Sequence, residues 1–284
     1  MALSRNQVEK LDEIQKYMEE ARTDQEYFQI LLEGIETGKN SAYKEVWSSL
    51  KETVVRIIRE YETSIGRMPE ESALNRYQGE RLVRYAAACR QYLAFGKETD
   101  QCLAGELNPR NAVWVCNTPP VFGAAGCRSL PMLLTQSHAK NSVRHRTQTN
   151  SHYHGLTMEE IRRLPEALET PAVIMGSATR KDALLAVLGY RDRYGQPVVA
   201  AVVPEGKGVY GLQKRRSNFI LSVYGKEDVG RLIQHMHEEN KIYYMNEERS
   251  RELALPLLSL QRGNKNLASN FMIKQKKENV NLQI

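Results

Sequence analysis

Two histidines and a basic run suit this chain to phosphodiester chemistry. His138 and His154 lie well ahead of Lys214-Arg215-Arg216, which leads directly into Ser217-Asn218-Phe219-Ile220-Leu221-Ser222-Val223-Tyr224. Cleavage of RNA by its own 2′-hydroxyl needs a base, an acid and cations for the charge that develops on phosphorus. An imidazole changes charge near neutral pH, so His138 or His154 can move protons, and Arg215 or Lys214 can carry the charge. From Asn218 the stretch alternates polar and apolar. On a strand with a side-chain period of two, Asn218, Ser222 and Tyr224 share one face, with Ile220 the one apolar residue among them. Ser222 has no His and Asp partners in triad arrangement, so its hydroxyl suits a phosphate oxygen better than nucleophilic attack. The bland alternative is a polar loop bearing surface histidines and a strand with one face in water.

Other chemistries find little support. No phosphate-binding P-loop, dinucleotide fingerprint, zinc-protease helix or nucleophile elbow occurs. A cofactor is not indicated. His152 and His154 form a His-x-His pair, but no carboxylate or cysteine lies close in sequence, and no metal site is assigned. Cys89, Cys102, Cys116 and Cys127 contain no CxxC pair, which argues against a zinc ribbon and suits buried, reduced thiols of a cytoplasmic protein. No signal peptide opens the chain and no apolar run approaches membrane-spanning length, so no membrane partner is expected.

A chain of 284 residues suits two domains. Charge divides them: residues 1–106 hold 15 Lys+Arg against 19 Asp+Glu, and residues 107–284 hold 25 against 15. The acidic part reads as scaffold or regulator, and the basic part as the one that meets a polyanion.

Helical signals fill residues 1–105. Ser4 with Gln7 reads as a capping box ahead of a stripe from Val8 to Ile35. A second helix follows Ser41 and carries Val54, Ile57 and Tyr61. A third follows Pro69 and ends near Gly96. Beyond Gly105 the pattern changes. Val113–Cys116 and Pro131–Leu134 read as strands, residues 135–154 as a loop or solvated helix, and Thr157 with Glu160 as a second capping box.

Further strands are expected at 172–175, 183–188, 197–203, 218–224 and 242–245, with a turn at Asp192–Gly195 and a mobile loop at Pro204–Gly208. One helix, about 226–239, interrupts them. Strands in sequence without intervening helices predict an antiparallel sheet and an α+β fold. The expected divisions are a helical domain over 1–105, an α+β domain over 106–261 and a basic tail over 262–284.

An ordered series of fragments then resembles a known family. Val113-Trp114-Val115-Cys116-Asn117-Thr118-Pro119-Pro120, Leu130-Pro131-Met132, His138, His154-Gly155-Leu156-Thr157, Leu164-Pro165, Pro171–Met175 and Ser217–Lys226 are similar to the MuF-C-terminal domains. The same series resembles the related phage nuclease-like domains of the barnase–EndoU–colicin–RelE group. The resemblance covers about residues 106–275; a MuF portal-associated domain is not recognisable ahead of it.

It implies helices packed on a curved antiparallel sheet of about four strands, metal-independent RNase chemistry, and carriage by phages or conjugative elements as toxin or effector modules. It places His154, Asn218, Ser222 and Tyr224 on matching positions, beside the basic cluster. The expected activity is therefore a metal-independent endoribonuclease with His154 or His138 as acid and base. Arg215 and Lys214 would clamp phosphate, with Ser222, Asn218 and Tyr224 positioning it and Arg216 and Lys226 adding cationic contacts. The alternative is a module that binds nucleic acid or a partner protein, such as a cognate inhibitor, without cutting.

Overall fold

A computed structural model describes residues 44–78, 80–145 and 154–255. The expected Ser4 capping box, the first helical stripe, the Ser41 cap, His152 and the basic tail lie outside them. The chain divides into two compact units, Met1–Ala94 and Phe95–Ile284.

In the first unit, α1 (Lys44–Ser64) is joined through a 3-10 turn (Pro69–Glu71) and the short α2 (Ala73–Arg76) to α3 (Glu80–Ala104). Ile58 and Tyr61 of α1 pack with Ala86, Cys89 and Tyr92 of α3. The connection is held by a buried carboxylate. Glu62 accepts from Ser72 Oγ at 2.5 Å and from the Ala73 amide at 2.7 Å, and Arg67 pairs with it at 3.4 Å. A buried charge is tolerated when it is hydrogen-bonded and paired in this way.

The second unit is α+β. Its strands are β1 (Val113–Asn117), β2 (Pro131–Leu134), β3 (Val173–Gly176), β4 (Leu184–Arg191), β5 (Pro197–Tyr210), β6 (Gln213–Gly225) and β7 (Ile242–Met245). They form one sheet in the order β1-β2-β6-β5-β4-β3-β7. Two expectations need correction here. Among the described residues the sheet has seven strands rather than about four, and it is mixed: β2 runs parallel to β6 while every other pairing is antiparallel. Strand succession predicts only the pairing of sequential strands, and β2 and β6 meet across some eighty residues.

Helices cover both faces. The end of α3, a 3-10 turn (Pro120–Ala125), α4 (Gln136–Val143), α5 (Met158–Arg162) and α6 (Leu164–Glu169) carry side chains that pack with Ile174, Ala186, Ala200, Ile220 and Val223 on one side. On the other side α7 (Val229–Glu238) lays Val229, Ile233 and Met236 against Val173, Met175, Val187 and Val199; α8 (Glu247–Glu252) follows β7. The Thr157–Glu160 capping box forms as expected at the start of α5, and the turn after β4 closes on Asp192, whose Oδ1 accepts from the amides of Tyr194 and Gln196.

The expected loop at Pro204–Gly208 is instead continuous strand. β5 runs through it with an irregularity between Val203 and Gly206, where Glu205 takes a φ of 57°. Beyond that point the β5–β6 ladder curls. Ala112, just before β1, donates to Val209 of β5 at 2.8 Å, although β2 and β6 lie between those strands in the sheet order. Trp114 meets Tyr210 edge-on at 5.0 Å, and Glu98 accepts from both the Trp114 amide (2.8 Å) and the Tyr210 hydroxyl (2.6 Å).

The tight inner side of this curl is possible because Gly206 and Gly208 lack side chains. A Cβ on Gly208 would stand 2.3 Å from the Phe219 ring, and one on Gly206 would stand 2.7 Å from it. Gly208→Ala is therefore expected to destabilise the protein by about 1–3 kcal/mol through overpacking. Urea unfolding of the single variant, and of Gly208→Ala with Phe219→Leu as partial rescue, checks it.

Candidate functional site: a basic hairpin and a separate histidine–tyrosine pair

The candidate residues divide into two groups that the fold keeps apart. Lys214, Arg215 and Arg216 are exposed at the distal end of β6. Arg216 pairs with Glu205 at 2.6 Å, and Arg128 reaches the same carboxylate at 3.0 Å. Arg215 donates to the neutral Gln213 side chain at 3.3 Å. Arg128 is a cation that the sequence reading missed; nothing in its local sequence points across the sheet to β6.

Ser222 and Tyr224 occupy the other end of the strand. At the ordinary strand rise, seven residues separate Arg215 from Ser222 by on the order of 20 Å. Arg215 and Tyr224 therefore stand on different stretches of β6, nine residues apart along the strand.

Asn218 also departs from expectation. Ser222 lies opposite Ala201 and Ile220 opposite Val202, so Leu221 is an extra residue on β6. A bulge of one residue reverses the parity of a strand. Ile220 and Val223 consequently enter the same core, and Asn218 lies on their side while Ser222 and Tyr224 face the other way. Asn218 is 0% exposed. Its amide donates to Thr118 Oγ1 at 2.7 Å and to the Arg128 carbonyl at 3.0 Å, and its oxygen accepts from the Glu205 amide at 3.0 Å. All of this hydrogen bonding is internal, and the side chain ties down the β5 irregularity. Its neighbour Ser217 is equally buried, with no partner for its hydroxyl among the described residues.

The proximal end brings two predicted residues together. β2 pairs β6 only from Asn218 to Ile220, which leaves the later part of β6 without a strand on that side. α4 packs there instead. The segment after residue 153 returns along α4: the amides of His154, Gly155 and Leu156 donate to the carbonyls of Asn141, Arg144 and Ser142. This return lays the His154 ring on Tyr224, with centroids 5.0 Å apart and planes 29° apart.

Arg193 of the β4–β5 turn donates to the Gly155 carbonyl at 2.6 Å, a contact read from the sequence only as part of a turn. Burial pushes the Tyr224 hydroxyl up from its ordinary range, so it keeps its proton near neutral pH. Lys226 lies two residues further on, half-buried.

His138, on α4, is half-buried, and burial lowers its imidazole below the ordinary value of 6.5. Among the described residues no group of three His, Cys, Asp or Glu side chains converges on a metal geometry, and no helix is long and apolar enough to cross a membrane.

This unit, an α+β sandwich of helices on a mixed sheet, contains a recognisable domain. Residues 145–252 match the family profile of the phage MuF-C-terminal domain. The matched segment holds β3 to β7, with Lys214–Arg216, His154, Ser222 and Tyr224 but not Arg128 or His138, and under half of the chain. It is narrower than the expected 106–275, and it leaves out β1, β2 and α4, which nonetheless belong to the same sheet. A phage-derived domain points to a protein of a mobile element. No curated protein and no solved structure gives a significant match.

Two outcomes follow from the geometry. Asn218→Ala leaves buried partners unmatched and is expected to cost about 2–3 kcal/mol in chemical denaturation. For His138, a folded-state value below the unfolded 6.5 means the unfolded chain binds the extra proton, so its stabilising contribution is complete above 6.5 and is lost as pH falls from there through the folded value. Stability measured from pH 7.5 to pH 5 should fall more steeply in the wild type than in His138→Gln.

Proposed function

We propose that the α+β unit is an RNA-binding module of a mobile-element protein, and that it grips the phosphate chain along the basic end of the β5–β6 hairpin. The observation that carries this reading is the exposure of Lys214, Arg215 and Arg216 on one braced ladder, with exposed Arg128 from the segment before β2 beside them and Glu205 the carboxylate paired with both Arg216 and Arg128. Two guanidiniums on one carboxylate leave positive charge uncompensated. Side chains alternate along the strand, so Lys214 and Arg216 point to one side and Arg215 to the other, and a polyanion can be held from both. The charge excess of residues 107–284 has the same sign. The helical unit would mediate assembly, in the cytoplasm and with a cognate partner protein.

A second reading, the metal-independent endoribonuclease of the barnase–EndoU–RelE kind, is favoured by the His154–Tyr224 stack alone. In that case His154 transfers protons, Tyr224 and Ser222 donate to phosphate oxygens, and Arg193 or Lys226 supplies the charge in place of Arg215.

Labelled RNA incubated with the full chain in EDTA distinguishes them. Salt-sensitive binding is expected, and neutralising Lys214, Arg215 and Arg216 together should flatten the slope of log K against log salt by about 2. His154→Ala should bind like the wild type. Binding that ignores salt, or none, overturns the proposal. RNA shortened by the wild type and spared by His154→Ala establishes the second reading.

A further inference from the structure

The apex of the β5–β6 hairpin carries a leucine where the backbone disfavours one. The two connecting residues, Gly211 and Leu212, have φ of 57° and 62°. Such a turn takes Asn, Asp or Gly because a side chain at positive φ crowds the following carbonyl. Leu212 is also 66% exposed. It therefore combines backbone strain with apolar surface in water, and neither helps the protein fold. Strain held at an exposed position points to a contact outside the chain.

The apex is held firmly enough to make one. The Leu212 amide donates to Asn111 Oδ1 at 3.1 Å, and Val209 accepts from Ala112 at 2.8 Å. Directly behind the apex stand the three exposed cations Lys214, Arg215 and Arg216. An apolar tip braced in place and backed by cations matches a target with phosphates outside and an apolar interior, which describes a stack of bases. Paired A-form RNA does not admit such a tip through its narrow groove, whereas bases at loops and bulges are already loosely stacked.

We propose that Leu212 is a wedge that enters the base stack of the bound RNA at a helix–loop junction while Lys214, Arg215 and Arg216 hold the adjoining phosphates. This rests on the RNA-binding reading and adds to it the kind of RNA.

The test uses the full chain with an RNA hairpin carrying 2-aminopurine at the loop-closing step, and the same strand in a full duplex. The wild type should raise the fluorescence of the hairpin and prefer it to the duplex. Leu212→Gly relieves the strain, so its melting temperature should equal or exceed that of the wild type. It should nevertheless bind the hairpin about tenfold more weakly, the equivalent of one buried leucine side chain. Its salt slope should not change and its fluorescence rise should vanish.

Leu212→Gly that binds and brightens the hairpin like the wild type, with salt-sensitive binding intact, overturns the wedge and leaves the RNA-binding reading standing. Absence of any RNA binding by the wild type overturns both. Leu212-dependent retention on phosphatidylserine vesicles, without an effect on RNA, replaces the base stack with a lipid surface.

Discussion

The β5–β6 ladder must bend, and the rest of the α+β unit is arranged around how it does so. β5 has 14 residues and β6 has 13, which fully extended would reach about 45 Å. The unit accommodates that length by curling the distal half back toward β1. Two irregularities, one in each strand, introduce the bend. Gly206 and Gly208 clear its inner side for Phe219, and Asn218 fastens the β5 irregularity to Thr118 and Arg128. Glu98 and Asn111 hold the returning end. Each of these contacts makes sense only if the ladder is curved.

The same bend sorts the chemistry. The cations ride on the distal arm, where curvature leaves them exposed. Ser222 and Tyr224 stay at the proximal end, past the bulge, and receive His154 from the segment that follows α4. The strand therefore offers two surfaces with different properties: a charged arm suited to gripping a polyanion, and a half-buried aromatic pair suited to hydrogen bonding.

The family match covers only the segment from residue 145 to 252, yet the sheet does not stop there. β1 and β2 extend it, and β2 does so by the one parallel pairing among the described residues. Thr118 and Arg128, which complete the Asn218 clasp, come from this added part, as does Asn111 beneath the hairpin apex. The matched segment is thus completed by residues outside it.

Local patterns were legible in the sequence to the extent that they depend on neighbouring residues. The Thr157–Glu160 capping box, the Asp192 turn, the strands at 113–116, 131–134, 172–175 and 242–245, and the α+β class all rest on short-range periodicity or capping, and each stands where expected. The basic run needed only composition. Tertiary structure alone decided the rest. A bulge at Leu221 has no signature in residue types, yet it turned Asn218 away from Ser222 and into the core. The Pro-Glu-Gly-Lys-Gly stretch has a loop composition, but Phe219 packing on its glycines makes it strand. His154 and Tyr224 meet because β2 ends early and leaves an edge to fill, a fact held in the sheet order and in no local spacing. Pairing at a distance is set by which surfaces can be buried together, and that is a property of the whole unit.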